Sequence, residues 1–211
     1  MKLHGGGTPN AHGIPITKPR NYELFTEVMF LGRRRRSMAK LVELAEVGPR
    51  DRVLDIGCGT GYLTRLAAAA APDGEVIGVD PSPPVLDYAR QVTKAANCSY
   101  RIGAAQDLDL PDDSFDVVLT NFAVHHVPAE VRDAAFGEMR RVLRTGGRLV
   151  IGEFRPPRGL AGRLMRALVP PMMEHNMVDE LPPAIRAAGF EIDATGDLPP
   201  LVSYVRATKG R

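Results

Sequence analysis

At 211 residues the chain has the length of one globular domain with modest appendages, enough to bury a core. Its 44% apolar and 25% charged residues, with a net charge of +2, exclude a disordered or collagen-like chain. The near-neutral total hides a partition: residues 1–50 carry 9 basic and 4 acidic side chains, 51–154 carry 10 and 15, and 155–211 carry 8 and 6, giving +5, −5 and +2. An acidic centre between basic ends points to one chemical unit in the middle.

Residues 1–20, rich in Gly and Pro, read as a flexible lead-in, and 21–211 as a single domain. The start, MKLHGGGTPNAHG, lacks the apolar segment of a signal peptide, and the apolar run Leu66–Ala71 is too short to span a bilayer. Cys58 and Cys98 are too few for a disulfide framework and have no metal-ligand spacing, so a cytoplasmic protein without a metal is expected. Two short helices are expected within 21–48, one from Tyr22 and one after Gly32, ahead of the core.

A regular alternation follows. Strands are expected at Val53–Ile56, Val76–Val79, Ser99–Ile102, Phe115–Thr120 and Arg148–Phe154, and helices at Leu63–Ala71, Pro83–Ala96 and Ala129–Val142. Ser82 is placed to cap the second of these helices, with Pro83 at its first position. Such alternation implies an α/β fold with a mostly parallel sheet and helices on both faces. The rhythm breaks at RPPRGLAGRLMRALVPPMMEHN, so 155–182 reads as an insertion covering an acceptor pocket. A helix over Val178–Ala188 and strands at Phe190–Ala194 and Val202–Ala207 are expected after it.

The strongest chemical signal is VLDIGCGTG, Val53–Gly61, a buried strand running into a glycine loop and then a helix. Glycine lets the backbone approach a ligand closely. The spacing Gly57, Gly59, Gly61 fits neither the dinucleotide fingerprint, which would need glycine where Tyr62 stands, nor a phosphate-binding P-loop, which needs Gly-Lys-Ser/Thr. That disfavours a nicotinamide-linked oxidoreductase. The second signal is VIGVD, a buried strand ending at Asp80, followed by Pro81. In a doubly wound sheet this carboxylate lies beside the glycine loop, where it can accept hydrogen bonds from both hydroxyls of a ribose. An aspartate that only caps a helix beside a tight turn is the alternative.

VLDIGCGTG, VIGVD, the run PDDSFDVVLTNFAVHHV from Pro111 to Val127, and EMRRVLRTGGRLVIGE from Glu138 to Glu153 resemble the successive motifs of class I S-adenosylmethionine-dependent methyltransferases. The likeness covers about residues 50–155. The double histidine is similar to the small-molecule branch that includes ubiquinone and menaquinone C-methyltransferases. The resemblance implies a Rossmann-like seven-stranded sheet with the last strand antiparallel, and S-adenosylmethionine as methyl donor. It further implies that Asp55 and the loop Gly57, Cys58, Gly59 and Gly61 hold the methionyl end, that Asp80 and Pro81 meet the ribose, and that Asn121 faces the sulfonium. GAAQDL, Gly103–Leu108, matches the adenine-binding segment; since Ala104 lacks a polar side chain, adenine recognition falls to the backbone of Ala105 or to Gln106. Tyr22 is a candidate to close over the cofactor, with a packed helix residue as the alternative.

Methyl transfer needs a base only where the acceptor must lose a proton. His125 and His126 after the fourth strand, and Glu153 at the end of the fifth, are the candidate catalytic residues; a structural role in the loop is the alternative for each. Glu174 and His175 are weaker candidates. Arg33–Arg36 reads as a solvated helix face, with an anionic acceptor or a membrane surface as further possibilities. No nucleic-acid acceptor is expected, because LTNFAVHH lacks the Asn/Asp-Pro-Pro-aromatic motif of base methylation. The expected partner is a small apolar or aromatic acceptor, methylated at O, C, N or S by in-line displacement, with the chain a monomer or homodimer. A lipid-surface methyltransferase and a non-catalytic cofactor-binding subunit remain as alternatives.

Overall fold

The computed structural model describes residues 19–155 and 177–210. Helices α1 (Pro19–Met29) and α2 (Arg34–Leu44) precede β1 (Arg52–Ile56), α3 (Tyr62–Ala70), β2 (Glu75–Asp80), α4 (Pro83–Val92), β3 (Cys98–Ile102), β4 (Phe115–Asn121), α5 (Ala129–Val142) and β5 (Leu143–Phe154). A 3-10 turn at Met177–Asp179 then leads to α6 (Leu181–Ala187), β6 (Phe190–Leu198) and β7 (Val202–Lys209). The sheet has seven strands in the order β3-β2-β1-β4-β5-β7-β6. The pairs from β3 to β5 are parallel, and β7 runs antiparallel to both β5 and β6.

The central strands are continuous apolar runs because both faces are covered. Their side chains alternate between two cores. Leu54, Val118, Leu149 and Ile151 pack with Phe136 and Met139 of α5 and Ile185 of α6. Val53, Val117, Leu119 and Val150 pack on the other face with Met38 and Leu41 of α2 and Leu63 and Ala67 of α3. Register follows from this alternation: Val53 stands beside Val76 on one side and Val117 on the other.

Several boundaries differ from expectation for local reasons. Helix α4 stops at Val92 instead of Ala96, since Thr93 is extended and its hydroxyl lies 2.7 Å from the Tyr100 hydroxyl. The helix expected over Val178–Ala188 starts only at Leu181, with proline in its first turn, because the Pro182–Pro183 pair is not compatible with a helix interior. Strand β5 begins early, at Leu143 opposite Phe115, and passes through a register shift before Arg148 pairs with Val117. Strand β6 runs to Leu198, because it pairs with β7 along its length. Most of the expected lead-in, and residues 156–176 of the expected insertion with Glu174 and His175, lie outside the described residues. Its described end is core: Met177 and Leu181 pack with Phe136 and Met139.

Candidate active site

The order of strand addition reverses at the parallel β1–β4 pair: β2 and β3 lie to one side and β5 to the other. The loops after β1 and β4 therefore diverge and leave a crevice at their carboxyl ends, the usual ligand site of open α/β sheets. Gly57, Gly59 and Gly61 in the first loop all have left-handed φ values, +68°, +51° and +72°. Packing also explains two of them. A Cβ at Gly57 would lie 2.3 Å from Ala123 Cβ, and one at Gly61 would lie 2.3 Å from the Tyr100 hydroxyl, whereas a Cβ at Gly59 would meet nothing within 4 Å. Gly59 is thus the loop residue with open space before it. Gly57→Ala is expected to cost about 2–4 kcal/mol, combining overpacking against Ala123 with the left-handed backbone; denaturant titration checks this.

The loop amides are largely spent internally. Gly57 and Cys58 N–H donate to the Val79 carbonyl at 2.8 and 3.1 Å, and Gly61 N–H to the Cys58 carbonyl at 2.9 Å. The Cys58 side chain packs with Leu86, Ala89 and Tyr100, and burial pushes its thiol well above the usual range, so it stays protonated.

Asp55 is buried beneath the loop, where Thr64 Oγ1, on the third residue of α3, donates to its Oδ2 at 2.6 Å. It holds the first turn of that helix, the geometry of a cap supplied from a neighbouring strand. Burial pushes its pKa up to about 7, against the lowering effect of the Thr64 bond. Well below pH 4, Asp55 is protonated in both folded and unfolded chains and costs nothing; as pH rises through 4 towards 7 only the unfolded chain ionises, so the folded state loses stability, and above pH 7 the penalty is constant. Asp55→Asn keeps an acceptor for Thr64. Its melting temperature is expected to gain on the wild type between about pH 4 and 7 and to hold that lead above.

Asp80 emerges from β2 with both oxygens directed by backbone: Gly59 N–H donates to Oδ2 and Ser82 N–H to Oδ1, each at 2.9 Å. Ser82 stands at the N-cap position as expected but makes no side-chain cap, and Pro83 opens α4. Each carboxylate oxygen keeps lone-pair capacity for a further donor. Burial raises the Asp80 pKa, and its two backbone bonds oppose the rise. Gly103 N–H bonds the Asp80 carbonyl at 3.3 Å, which brings the segment containing Ala105 and Gln106 next to Asp80. Ala105 packs partly on the core, Gln106 is half-buried, and Pro81 is exposed. Ile102, opposite Asp80 in the β2–β3 register, is 62% exposed, an apolar surface that the strand pattern alone did not mark.

At the end of β4, the Asn121 amide nitrogen lies 3.3 Å from Met38 Sδ, while its Oδ1 and the Thr120 hydroxyl are buried without partners. Phe122 follows in a left-handed conformation at φ +55°, between Phe30 and Phe154 at ring distances of 6.0 and 6.5 Å. That turn carries the chain into Val124–His126. Glu153 is buried at the end of β5; its Oε1 accepts Val124 N–H at 3.0 Å and its Oε2 lies 2.8 Å from His125 Nδ1. The structure thus joins His125 and Glu153 and leaves His126 outside the pair, its ring 4.0 Å from that of His125. Partial burial, then the neighbouring His125, push the His126 pKa down to about 4.

Helix α1 crosses the mouth of the crevice. Glu23 accepts from Tyr88 on α4 at 2.9 Å and from Arg65 on α3 at 3.3 Å. Tyr22 is half-buried within electrostatic reach of Arg34 and Asp80, and burial raises its phenol pKa. Arg33, Arg35 and Arg36 are exposed as expected, but Arg34 is buried, with its guanidinium 3.8 Å over the Tyr62 ring. Burial lowers its pKa, and it has no hydrogen-bond or ion-pair partner among the described residues. Its spacing with Met38 and Leu41, both core residues of α2, was the available signal.

Among the described residues no three His, Cys, Asp or Glu side chains cluster as metal ligands, and no helix is long and apolar enough to cross a membrane. Residues 53–147 match the methyltransferase domain family. The demethylmenaquinone methyltransferase of Symbiobacterium thermophilum is 37% identical over 142 residues, covering 65% of this chain and 56% of that protein. The ubiquinone/menaquinone biosynthesis C-methyltransferase of Burkholderia cenocepacia is likewise 37% identical over 142 residues, covering 64% of this chain and 56% of its own length. The chain therefore spans just over half the length of these relatives. An S-adenosylmethionine-dependent methyltransferase from Aquifex aeolicus shares the fold, with a TM-score of 0.69 at 19% identity over 91% of this chain and 98% of that one. The glycine loop, the acid ending β2 and this sheet order accompany that domain match, and the chain resembles the class I S-adenosylmethionine-dependent methyltransferases and, among them, the ubiquinone/menaquinone C-methyltransferases.

Proposed function

We propose that this chain methylates a ring carbon of a small, apolar, quinol-type acceptor and that His125, oriented by Glu153, takes the proton the acceptor gives up. The observation that carries the reading is the buried Glu153 carboxylate bonded at once to the His125 ring and to the Val124 amide. A carboxylate held this way keeps the proton on Nδ1 and leaves Nε2 as the acceptor. The two named relatives, a demethylmenaquinone and a ubiquinone/menaquinone methyltransferase, support the acceptor class.

The residues of the crevice fit the methyl donor. Gly59 leaves open space for its methionyl end, the Asp80 oxygens suit two ribose hydroxyls, and Ile102 and Ala105 offer an apolar flank for adenine. Asn121 Oδ1 is a buried acceptor without a partner, suited to the positive methionyl end. Arg34, which sequence reading left in a solvated run, supplies a cation for the methionyl carboxylate. The bound donor supplies an electrophilic methyl whose leaving group, a neutral thioether, needs no proton. What the chain adds is placement of the acceptor, which can lower a barrier by roughly 7 to 11 kcal/mol, and a base. For a quinol, His125 Nε2 removes a proton as the ring carbon gains its methyl group, and Glu153 stabilises the imidazolium. Phe154, next in the chain to Glu153, packs edge-on against Phe122 at 6.5 Å.

Incubation with S-adenosylmethionine and a reduced naphthoquinol bearing an open ring carbon, a catechol or an aliphatic amine tests the reading by mass spectrometry. The expected product is the C-methylated naphthoquinol. Methylation of only the catechol oxygen or the amine would contradict the acceptor class, and no transfer to any of them, with S-adenosylhomocysteine still bound, would favour the binding-subunit alternative.

A further inference from the structure

Helix α1 covers the crevice with one side and shows an apolar ridge on the other. Leu24 is 69% exposed, Phe25 47%, Val28 66% and Leu31 74%, four of the five exposed large apolar residues in the described structure. Their inward counterparts are Thr26 and Phe30, both buried. Scattered exposed leucines need no explanation, but four within eight positions form a patch.

The turn that ends the ridge adds an independent observation. Gly32 N–H returns to the Glu27 carbonyl at 3.1 Å and Leu31 N–H to that of Val28 at 2.9 Å, a Schellman closure in which the left-handed position falls on Leu31, φ +52°. That position usually takes glycine, and a leucine there is strained. Here the strained residue is also the most exposed leucine, so no core contact accounts for it.

Arginines flank the ridge at both ends. Arg20 is exposed one helical turn before Leu24, and Arg33, Arg35 and Arg36 are exposed just after Leu31. Residues 19–36 carry five arginines against Glu23 and Glu27. Glu23 is engaged by Arg65 and Tyr88 at the crevice, and Glu27 lies within electrostatic reach of Arg34, so neither offsets the exposed arginines fully. An apolar strip between cationic ends complements a lipid surface with anionic headgroups: the strip enters the acyl boundary while the arginines reach the phosphates.

We propose that the outer face of α1 and the arginine turn dock the chain on an anionic phospholipid bilayer, which places the crevice beneath α1 next to the phase where an apolar acceptor dissolves. The surface stands on its own observations and does not require the quinol reading. Its test is sedimentation of the chain with phosphatidylglycerol vesicles and with neutral phosphatidylcholine vesicles, alongside S-adenosylhomocysteine binding in solution. The wild type is expected to sediment with the anionic vesicles, weakly with the neutral ones, and less at high salt. Leu24→Glu with Val28→Glu is expected to abolish vesicle binding, and Arg35→Gln with Arg36→Gln to weaken it about five-fold per arginine removed. Both pairs are exposed and outside the crevice, so ligand binding should persist and certify folding. The proposal is overturned if the wild type ignores anionic vesicles, if the glutamate pair binds them as well as the wild type, or if light scattering shows a dimer that this pair splits while vesicles have no effect, which would make the ridge an interface between two copies.

Discussion

Asp80→Ala is expected to weaken S-adenosylhomocysteine binding by about a hundredfold or more. Each hydrogen bond to a charged acceptor is worth roughly 1.5–3 kcal/mol, and a ribose offers two hydroxyls to one carboxylate. The direct effect is compounded by the loop, because Gly59 and Ser82 N–H lose their acceptor at the same time. Asp80→Asn separates the two contributions: its one carbonyl oxygen can still accept one backbone N–H and one hydroxyl, while its amide nitrogen faces the other two donors, so it should fall between wild type and alanine. Calorimetric titration reads the affinity, and a melting curve reads the loop. Undiminished affinity in Asp80→Ala would remove the ribose assignment, whatever the melting temperature.

His125→Ala is expected to lower kcat by about 10²–10⁴-fold, the usual contribution of a positioned general base. Cofactor affinity should stay near wild type, since none of the loop or Asp80 contacts involves His125. Glu153→Gln is expected to lower kcat less, by about ten- to a hundredfold. Its carbonyl can still receive Val124 N–H, but its amide then faces His125 Nδ1 and favours the tautomer with the proton on Nε2, where the base is needed. A merely structural role for Glu153 would raise KM and lower stability together; the account predicts a kcat effect with acceptor KM held. His126→Ala is the contrast. His126 lacks the carboxylate bond and has a pKa pushed down to about 4, which makes it a poor base, so its loss should leave kcat within a few-fold of wild type.

The parts of this molecule legible in its sequence are those set by short-range pattern. Val53–Ile56, Val76–Val79 and Phe115–Thr120 are apolar runs that only a strand buried on both faces explains, and α5 has the limits its periodicity predicts, Ala129–Val142. Position along the chain also sufficed to set Asp80 beside the glycine loop. The centre of −5 charge holds β1 through β5, including both Asp55 and Asp80. Other features depend on contacts between distant residues. His125 and Glu153 are brought together by the β4–β5 register, in which Asn121 stands opposite Gly152. Asp55 stands out in the sequence by its place before the glycine loop, but its bond to Thr64, nine positions on, exists only because α3 folds back over it. Arg34 is hidden inside a run of four arginines, three of them solvated; its helical spacing with Met38 and Leu41 marks the buried side of α2, but its place over the Tyr62 ring follows only from the docking of that helix. Two of the loop glycines answer to Ala123 and Tyr100, neighbours that a spacing motif does not contain.

Hydrogen exchange read by mass spectrometry, with and without S-adenosylhomocysteine, tests the central assignment most directly. Added protection is expected over residues 57–64, 80–83, 102–107 and 121–123, the carboxyl edge of β1, β2, β3 and β4, together with α1 around Tyr22. Protection confined to the opposite, amino-terminal edge of the sheet, or no change at saturating ligand, would contradict it.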